Sequence, residues 1–187
     1  MARKNRKNDL APLKNVYLTG FMCAGKTTAG RALARLLRLP FLDSDKLVEK
    51  KAGAAIAALV EKKGLARFRA LEAAQLRGLA ALGGRVIALG GGIYPSRRWK
   101  ALLNATGTTV FLSCPWPELK KRLEAGRGAR PLLAGPRERA AARAKRLYAA
   151  RLPFYNMAEI KVSTAGLTPE KTAALIKARL GTVRGHL

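Results

Sequence analysis

The feature that most constrains this chain is the octet at residues 20–27, which reads Gly-Phe-Met-Cys-Ala-Gly-Lys-Thr. It has the GxxxxGK[ST] spacing of a phosphate-binding loop. The apolar stretch 15–19 precedes it, and leucines at helical spacing follow it between residues 27 and 38. Strand, glycine loop and helix, in that order, form the context that this motif requires. The octet therefore predicts that the chain binds a nucleoside triphosphate.

The chemistry of the loop follows from its residue types. Gly20 and Gly25 allow the backbone to curl so that successive N–H groups point at phosphate oxygens. The following helix adds its dipole and its unpaired N–H donors. We expect Lys26 to reach the β- and γ-phosphates and the Thr27 hydroxyl to bind Mg²⁺.

Short apolar runs alternate with helical patterns along the rest of the chain, which indicates a parallel sheet with helices on both faces. With 187 residues, 49% of them apolar, the chain can bury one good core. We therefore expect a basic, flexible leader at 1–14 and a single domain at 15–187. The predicted strands are 15–19, 41–42, 86–89, 109–112 and 160–163. The predicted helices are 26–37, 65–82, 97–103, 117–124, 137–150 and 169–180.

The charge balance is strongly basic, with 37 Lys and Arg against 11 Asp and Glu and a formal net charge of +26. Such an excess favours polyanionic partners. The basic residues are spread along the whole chain, however, which is typical of solvated helix faces combined with small anionic substrates. We expect no specific nucleic-acid partner, only nonspecific, salt-sensitive adhesion. Two cysteines, no metal spacing and no apolar run of membrane-spanning length favour a cytoplasmic protein.

Aspartate is scarce, and two of the three aspartates lie together in Asp43-Ser44-Asp45, directly after a predicted strand. The simpler interpretation is that Asp43 or Ser44 caps the next helix. A cap needs one polar residue and not two carboxylates, so we favour a functional pair. One carboxylate would then face the Mg²⁺ shell and the other a substrate hydroxyl.

Further candidates lie in Phe68-Arg69-Ala70-Leu71-Glu72, in Gly90-Gly91-Gly92, in Arg130-Pro131-Leu132-Leu133 and in Arg151-Leu152-Pro153-Phe154-Tyr155. On spacing alone each is weak. Arg69 and Glu72 could form an ordinary surface ion pair. Pro153 is expected to end the helix that precedes it.

Taken together and in order with the loop and the two aspartates, these segments resemble the shikimate kinase family from about residue 16 to residue 180. The resemblance implies a three-layer αβα P-loop kinase fold with a five-stranded parallel sheet and a mobile lid at about 125–136. It also implies ATP-dependent, Mg²⁺-assisted phosphorylation of the 3-hydroxyl of shikimate on the chorismate route to aromatic amino acids, by a monomer.

The resemblance also implies a role for each matching residue. The phosphates and adenine of ATP would be bound by Gly20, Cys23, Ala24, Gly25, Lys26, Thr27, Thr28, Arg122 and Arg130. Shikimate would be bound by Asp45, Arg69, Gly90, Gly91, Gly92 and Arg151. Thr27 would hold Mg²⁺ directly and Asp43 through water, and the catalytic residues would be Lys26, Asp45 and Arg130.

Elementary chemistry agrees with these roles, because a carboxylate substrate calls for guanidinium groups and ring hydroxyls call for a carboxylate acceptor. Two alternatives remain at this point. One is another small-metabolite kinase of the same fold, such as one that acts on gluconate. The other is a basic P-loop ATPase that binds nucleic acid, although aromatic residues for base stacking make up only 6% of the chain.

Overall fold

A computed structural model describes residues 14–93, 97–125 and 136–183. Five parallel strands form its sheet, in the order β2-β3-β1-β4-β5. They are β1 (Asn15–Thr19), β2 (Phe41–Asp43), β3 (Val86–Ala88), β4 (Gly107–Ser113) and β5 (Ile160–Ser163). The predicted α/β class, the five parallel strands and the three-layer architecture are confirmed.

Helices cover both faces of the sheet. They are α1 (Lys26–Leu37), α2 (Ser44–Ala52), α3 (Ile56–Ala81), α4 (Arg97–Thr106), α5 (Trp116–Ala125), α6 (Arg137–Tyr155) and α7 (Pro169–Val183). Helices α1 and α7 pack on each other, and α4 packs on both α3 and β4. None of the helices in the described ranges is long and apolar enough to cross a membrane.

The main hydrophobic core contains buried residues from Val16 to Leu180 and encloses the whole sheet. A second, smaller cluster lies between α2 and α3 and consists of the buried side chains of Val48, Leu59 and Phe68. This small cluster holds α3 on α2, so it fixes the position of whatever side chains α3 carries next to Phe68.

Three helix predictions differ from the structure. Helix α2 and the first turns of α3, before a kink at Gly64 (φ 78°), are missing from the prediction. Helix α6 does not end at residue 150 but continues through Pro153 to Tyr155. Pro153 removes one helical N–H donor, but the helical pattern continues past it, since the Asn156 N–H donates to the Leu152 carbonyl at 3.0 Å.

The strand order places a crevice at the carboxyl edge of the sheet. The chain leaves β1 towards β2 on one side and leaves β4 towards β5 on the other, so the connections diverge between the adjacent strands β1 and β4. Ligands of open α/β sheets bind at such a point. The glycine loop that follows β1 lies there, which agrees with its predicted function.

Candidate active site

The phosphate-binding loop depends on its two glycines for different reasons. Gly20 (φ 143°) leaves no room for a side chain, because a Cβ there would lie 2.7 Å from the Leu112 carbonyl oxygen of β4. Gly25 (φ 93°) is left-handed and caps α1. Between them Cys23 is also left-handed, with φ 61°, a conformation that is strained for a residue with a Cβ. The loop is therefore tightly folded against β4.

Lys26 lies over this loop and bonds its backbone. Its Nζ donates to the carbonyl oxygens of Gly20 at 2.8 Å and Phe21 at 3.0 Å. The Thr28 hydroxyl donates to the Gly25 carbonyl at 3.1 Å. The ammonium group is thus held at the mouth of the loop, where a triphosphate would meet it.

Asp43 accepts hydrogen bonds from two different parts of the site. Its Oδ1 accepts hydrogen bonds from the backbone N–H groups of Asp45 and Lys46 and so caps α2. Its Oδ2 accepts a hydrogen bond from the Thr27 hydroxyl at 3.0 Å. The capping interpretation is therefore confirmed, and the functional one stays a prediction that the cap does not exclude, because the second carboxylate oxygen bonds Thr27 instead.

The Thr27–Asp43 corner suits a hard cation. Hydroxyl and carboxylate oxygens are the donors that Mg²⁺ accepts, and nucleotide phosphates and water usually complete its shell. Within the described part of the chain, no group of three or more His, Cys, Asp or Glu could hold a metal alone. The corner fits an ion that arrives with the nucleotide.

Asp45 is the most perturbed acid of the site. Burial first, and the charge of Asp43 second, raise the pKa of Asp45 to about 6, while the Lys26 ammonium opposes this change. A carboxylate with such a pKa is ionised at neutral pH and remains basic enough to accept a proton. The influence of Lys26 also shows that Asp45 lies beside the phosphate-binding loop.

The triple glycine brings the predicted acceptor residues together. A Cβ on Gly90 would overlap Asp45 Oδ1, and a Cβ on Gly92 would overlap the Arg69 guanidinium group. A Cβ on Gly91 would lie 2.9 Å from Arg151 Nη1. None of the three glycines has a positive φ. Their requirement is for space, since each one lies against a different side chain of the predicted acceptor site.

Arg69 is anchored rather than free at the surface. Its Nη1 donates to Glu72 Oε2 at 2.5 Å, and the Glu72 side chain is only 7% exposed. The interpretation of this pair as an ordinary surface ion pair is wrong, because packing of Phe68 in the α2–α3 cluster draws this part of α3 inward. Arg69 itself stays 43% exposed and can meet a ligand.

Arg151 reaches the site from the last turns of α6. Arg151 Nη1 and the Tyr155 hydroxyl both lie within 4 Å of where a Cβ on Gly91 would be, and the buried Tyr155 hydroxyl donates to the Gly91 carbonyl at 3.4 Å. Burial raises the pKa of Tyr155, and the Arg151 charge opposes this change. The helix that sequence reasoning ended at residue 150 thus carries Arg151 towards the triple glycine on rigid backbone.

Arg122 connects two loops on the other side of the site. Its guanidinium group donates to Glu118, to the Cys23 carbonyl at 3.5 Å, and to the Thr164 carbonyl at 2.9 Å. A cavity of about 500 Å³ extends from Arg122 past Lys26 and Thr27 to Asp43 and Asp45. Arg122 therefore borders the nucleotide side of this cavity, while Arg130 and residues 126–135 of the predicted lid lie outside the described residues.

Four residues that contact this site were assigned no functional role from the sequence, although Ser44 was considered as a helix cap and Glu72 as an ion-pair partner of Arg69. Ser44, Glu72 and Tyr155 lay within segments that were singled out, so their positions beside Asp45, Arg69 and Arg151 were the available signal. Thr164 carried no such signal, because only the folded chain brings it to Arg122.

Comparison with known proteins agrees with this geometry. The family model described as "Shikimate kinase" matches residues 22–180, which is most of the chain. The chain belongs to the shikimate kinase family. Its members are ATP-dependent kinases that act on an alcohol group, and the same holds for this chain.

Alignments with individual members of the shikimate kinase family cover most of this chain and most of each relative. The shikimate kinase of Aquifex aeolicus is 39% identical over 147 residues, which is 79% of this chain and 84% of the relative. That of Geobacter sulfurreducens is 40% identical over 157 residues, or 84% and 85% of the two chains. The solved structure of the Acinetobacter baumannii shikimate kinase in complex with shikimate aligns with a TM-score of 0.84 and 34% identity, over 92% and 95% of the chains.

Proposed function

We propose that the chain transfers the γ-phosphoryl group of ATP to the 3-hydroxyl of shikimate and releases shikimate 3-phosphate. The observation that carries this proposal is the meeting of Asp45, Arg69 and Arg151 on one triple glycine. Two guanidinium groups and one carboxylate suit a small acid that also carries hydroxyl groups. The same cluster adjoins the loop that would hold the donor phosphates.

The acceptor side has a simple division of labour. Arg69, which Glu72 anchors, and Arg151, which Tyr155 contacts, bind the carboxylate of shikimate. Asp45 accepts hydrogen bonds from ring hydroxyls and can take the proton of the attacking hydroxyl. The narrow backbone at Gly90–Gly92 lets the ring approach closely.

The donor side supplies positioning and charge neutralisation, which dominate phosphoryl transfer. The loop from Gly20 to Thr28 wraps the phosphates with its N–H groups, and Lys26 places its ammonium on the transferring group. Thr27 would hold Mg²⁺ directly and Asp43 through water. The bound ion would neutralise charge on the β- and γ-phosphates.

The nucleotide base and the closing step remain predictions. Arg122 already donates from the edge of its guanidinium group, so its flat face is what we propose for stacking on adenine. By family resemblance Arg130 approaches the transferring phosphate when the lid closes.

We further propose that one copy of the chain suffices for activity, as a single kinase domain at 15–187 after the basic leader 1–14. A cytoplasmic setting suits an enzyme that shares ATP and a biosynthetic intermediate with its pathway. We propose no specific nucleic-acid partner for the excess positive charge.

Coupled measurement of ADP release tests the proposal. We expect turnover of MgATP to depend on shikimate, with little ADP release in its absence. Gluconate and a single-stranded oligonucleotide, supplied at the same concentration, should give no stimulation. Release of ADP that ignores shikimate but responds to gluconate or to the oligonucleotide would contradict the proposal.

A further inference from the structure

Two buried hydroxyl groups hold the triple-glycine loop from opposite sides. The Ser44 side chain is 1% exposed, and its Oγ accepts the backbone N–H of Gly90 at 2.8 Å. The Tyr155 side chain is fully buried, and its hydroxyl donates to the Gly91 carbonyl at 3.4 Å. The peptide groups on either side of the Gly90–Gly91 peptide are thus tied to two residues that are 111 positions apart in the sequence.

Each hydroxyl belongs to an element that also carries an acceptor-binding side chain. Ser44 directly precedes Asp45, whose Oδ1 lies where a Cβ on Gly90 would be. Tyr155 lies one helical turn after Arg151, and its hydroxyl and Arg151 Nη1 both lie within 4 Å of where a Cβ on Gly91 would be. A shift of the loop relative to either element would therefore change the spacing between the carboxylate, the guanidinium group and the loop backbone.

Within residues 14–93, 97–125 and 136–183, no other side-chain hydroxyl group bonds the backbone of Gly90–Gly92. Because β2 and β3 pair in parallel with Asp43 beside Ala88, Ser44 and Gly90 leave the sheet side by side. Phe111 stacks on the Tyr155 ring with a centroid distance of 5.3 Å, which fixes the ring whether or not it carries a hydroxyl. The hydroxyl groups can thus be removed with little change in packing.

We propose that Ser44 and Tyr155 are positioning residues for the acceptor substrate. Neither needs to touch shikimate; together they set the distance from the Gly90–Gly92 backbone to Asp45 and Arg151. The inference rests on the proposed function for its kinetic consequences. It also predicts a property of the ligand-free protein, namely protection of the Gly90 amide from hydrogen exchange.

The sheet offers matched controls at its amino edge. Thr109 is fully buried, and its Oγ1 accepts the Glu159 backbone N–H at 3.1 Å, just as Ser44 accepts that of Gly90. Tyr17 is fully buried, and its hydroxyl bonds to Thr106 Oγ1 at 2.8 Å. Ser44→Ala is therefore compared with Thr109→Val, and Tyr155→Phe with Tyr17→Phe.

The experiment measures kcat/KM for each substrate in the full-length chain. Loss of one positioning hydrogen bond should lower kcat/KM for shikimate about tenfold in Ser44→Ala and about fivefold in Tyr155→Phe, mainly through KM. KM for ATP should stay within about twofold. The two controls should leave both substrates unaffected even where they lower the melting temperature.

Three results would overturn the inference: unchanged kcat/KM for shikimate in both variants, an equal loss for ATP, or an equal loss in the controls. If the wild-type chain showed no shikimate-dependent turnover, the proposed function would fail instead. Hydrogen exchange then decides the inference alone. Gly90 should exchange at least about tenfold faster in Ser44→Ala than in wild type or Thr109→Val, and equal rates would refute the anchoring role.

Discussion

The donor and acceptor halves of this site are built in opposite ways. The donor half is centred on one continuous segment, Gly20–Thr28, which bonds its own backbone and packs against β4 and receives contacts from outside only at Thr27 and Cys23, from Asp43 and Arg122, among the hydrogen bonds described above. The acceptor half takes one residue or turn each from α2, α3, α6 and the loop after β3. The comparison teaches that a phosphate site can be specified locally, whereas a site for a small hydroxy acid requires the whole fold.

The largest expected effect tests the local half. Lys26→Ala should lower kcat by on the order of 10³-fold, because an ammonium group that neutralises the transferring phosphate is lost. Steady-state turnover with saturating shikimate measures it. Lys171→Ala, an exposed lysine of α7, is the control and should stay within about twofold of wild type. A Lys26 variant that keeps a tenth of its activity would break the assigned role.

The next effect tests the assembled half. Arg151→Ala should reduce kcat/KM for shikimate by on the order of 10²-fold while KM for ATP changes little, since a charged pair with the carboxylate is removed. Arg151→Lys should recover only part of the loss, because a single ammonium cannot form a planar, two-pronged contact. Arg146→Ala, exposed on the same helix, is the control. An equal loss of kcat/KM for shikimate and for ATP in Arg151→Ala would contradict the assignment of Arg151 to the acceptor half alone.

The donor and acceptor halves also differ in how much of their structure the sequence predicts. The loop, its flanking strand and α1 could be predicted with their bounds, because their signals are local: glycines at fixed spacing and leucines at helical spacing. Helix α2 was missed because its nine residues are mostly charged, so that its pattern predicts no buried face. It exists because Asp43 caps it and Val48 packs on α3.

For the acceptor residues, resemblance gave the identities but no local pattern could give their arrangement. Nothing in the spacing of Asp45, Arg69 and Arg151 indicates that each meets one glycine of residues 90–92. The end of α6 was misjudged for a related reason. The rule for proline is local, whereas the buried Tyr155 ring, which stacks on Phe111, favours a helical backbone beyond Pro153.

The pH dependence of kcat/KM for shikimate tests the role of Asp45, which lies between the donor and acceptor halves, and the expected effect is moderate. Its pKa is about 6, raised mainly by burial, so the carboxylate that accepts hydrogen bonds is lost as the pH falls through that value. We expect kcat/KM for shikimate to fall about tenfold per pH unit below pH 6. Asp45→Asn should be slow at every pH and lack this limb, and an unchanged limb in that variant would assign it to another group.

The smallest effect concerns Cys23. Glycine at this position relieves the left-handed strain of a φ of 61° but loosens the unfolded chain, so the two contributions to stability nearly cancel. We expect Cys23→Gly to change the free energy of unfolding by less than about 1 kcal/mol and turnover by less than about twofold. Urea denaturation and steady-state kinetics measure these changes. A tenfold loss of activity would show that the donor loop depends on this side chain as well as on its backbone.

The separation of the two halves is tested most directly by calorimetric titration of MgADP and of shikimate into wild type, Arg69→Ala and the neighbouring control Arg67→Ala, which alters an exposed arginine. We predict that Arg69→Ala weakens shikimate binding by at least about thirtyfold and leaves MgADP binding within about twofold, while Arg67→Ala leaves both unchanged. Loss of MgADP binding in Arg69→Ala, with shikimate still bound as in wild type, would contradict the account.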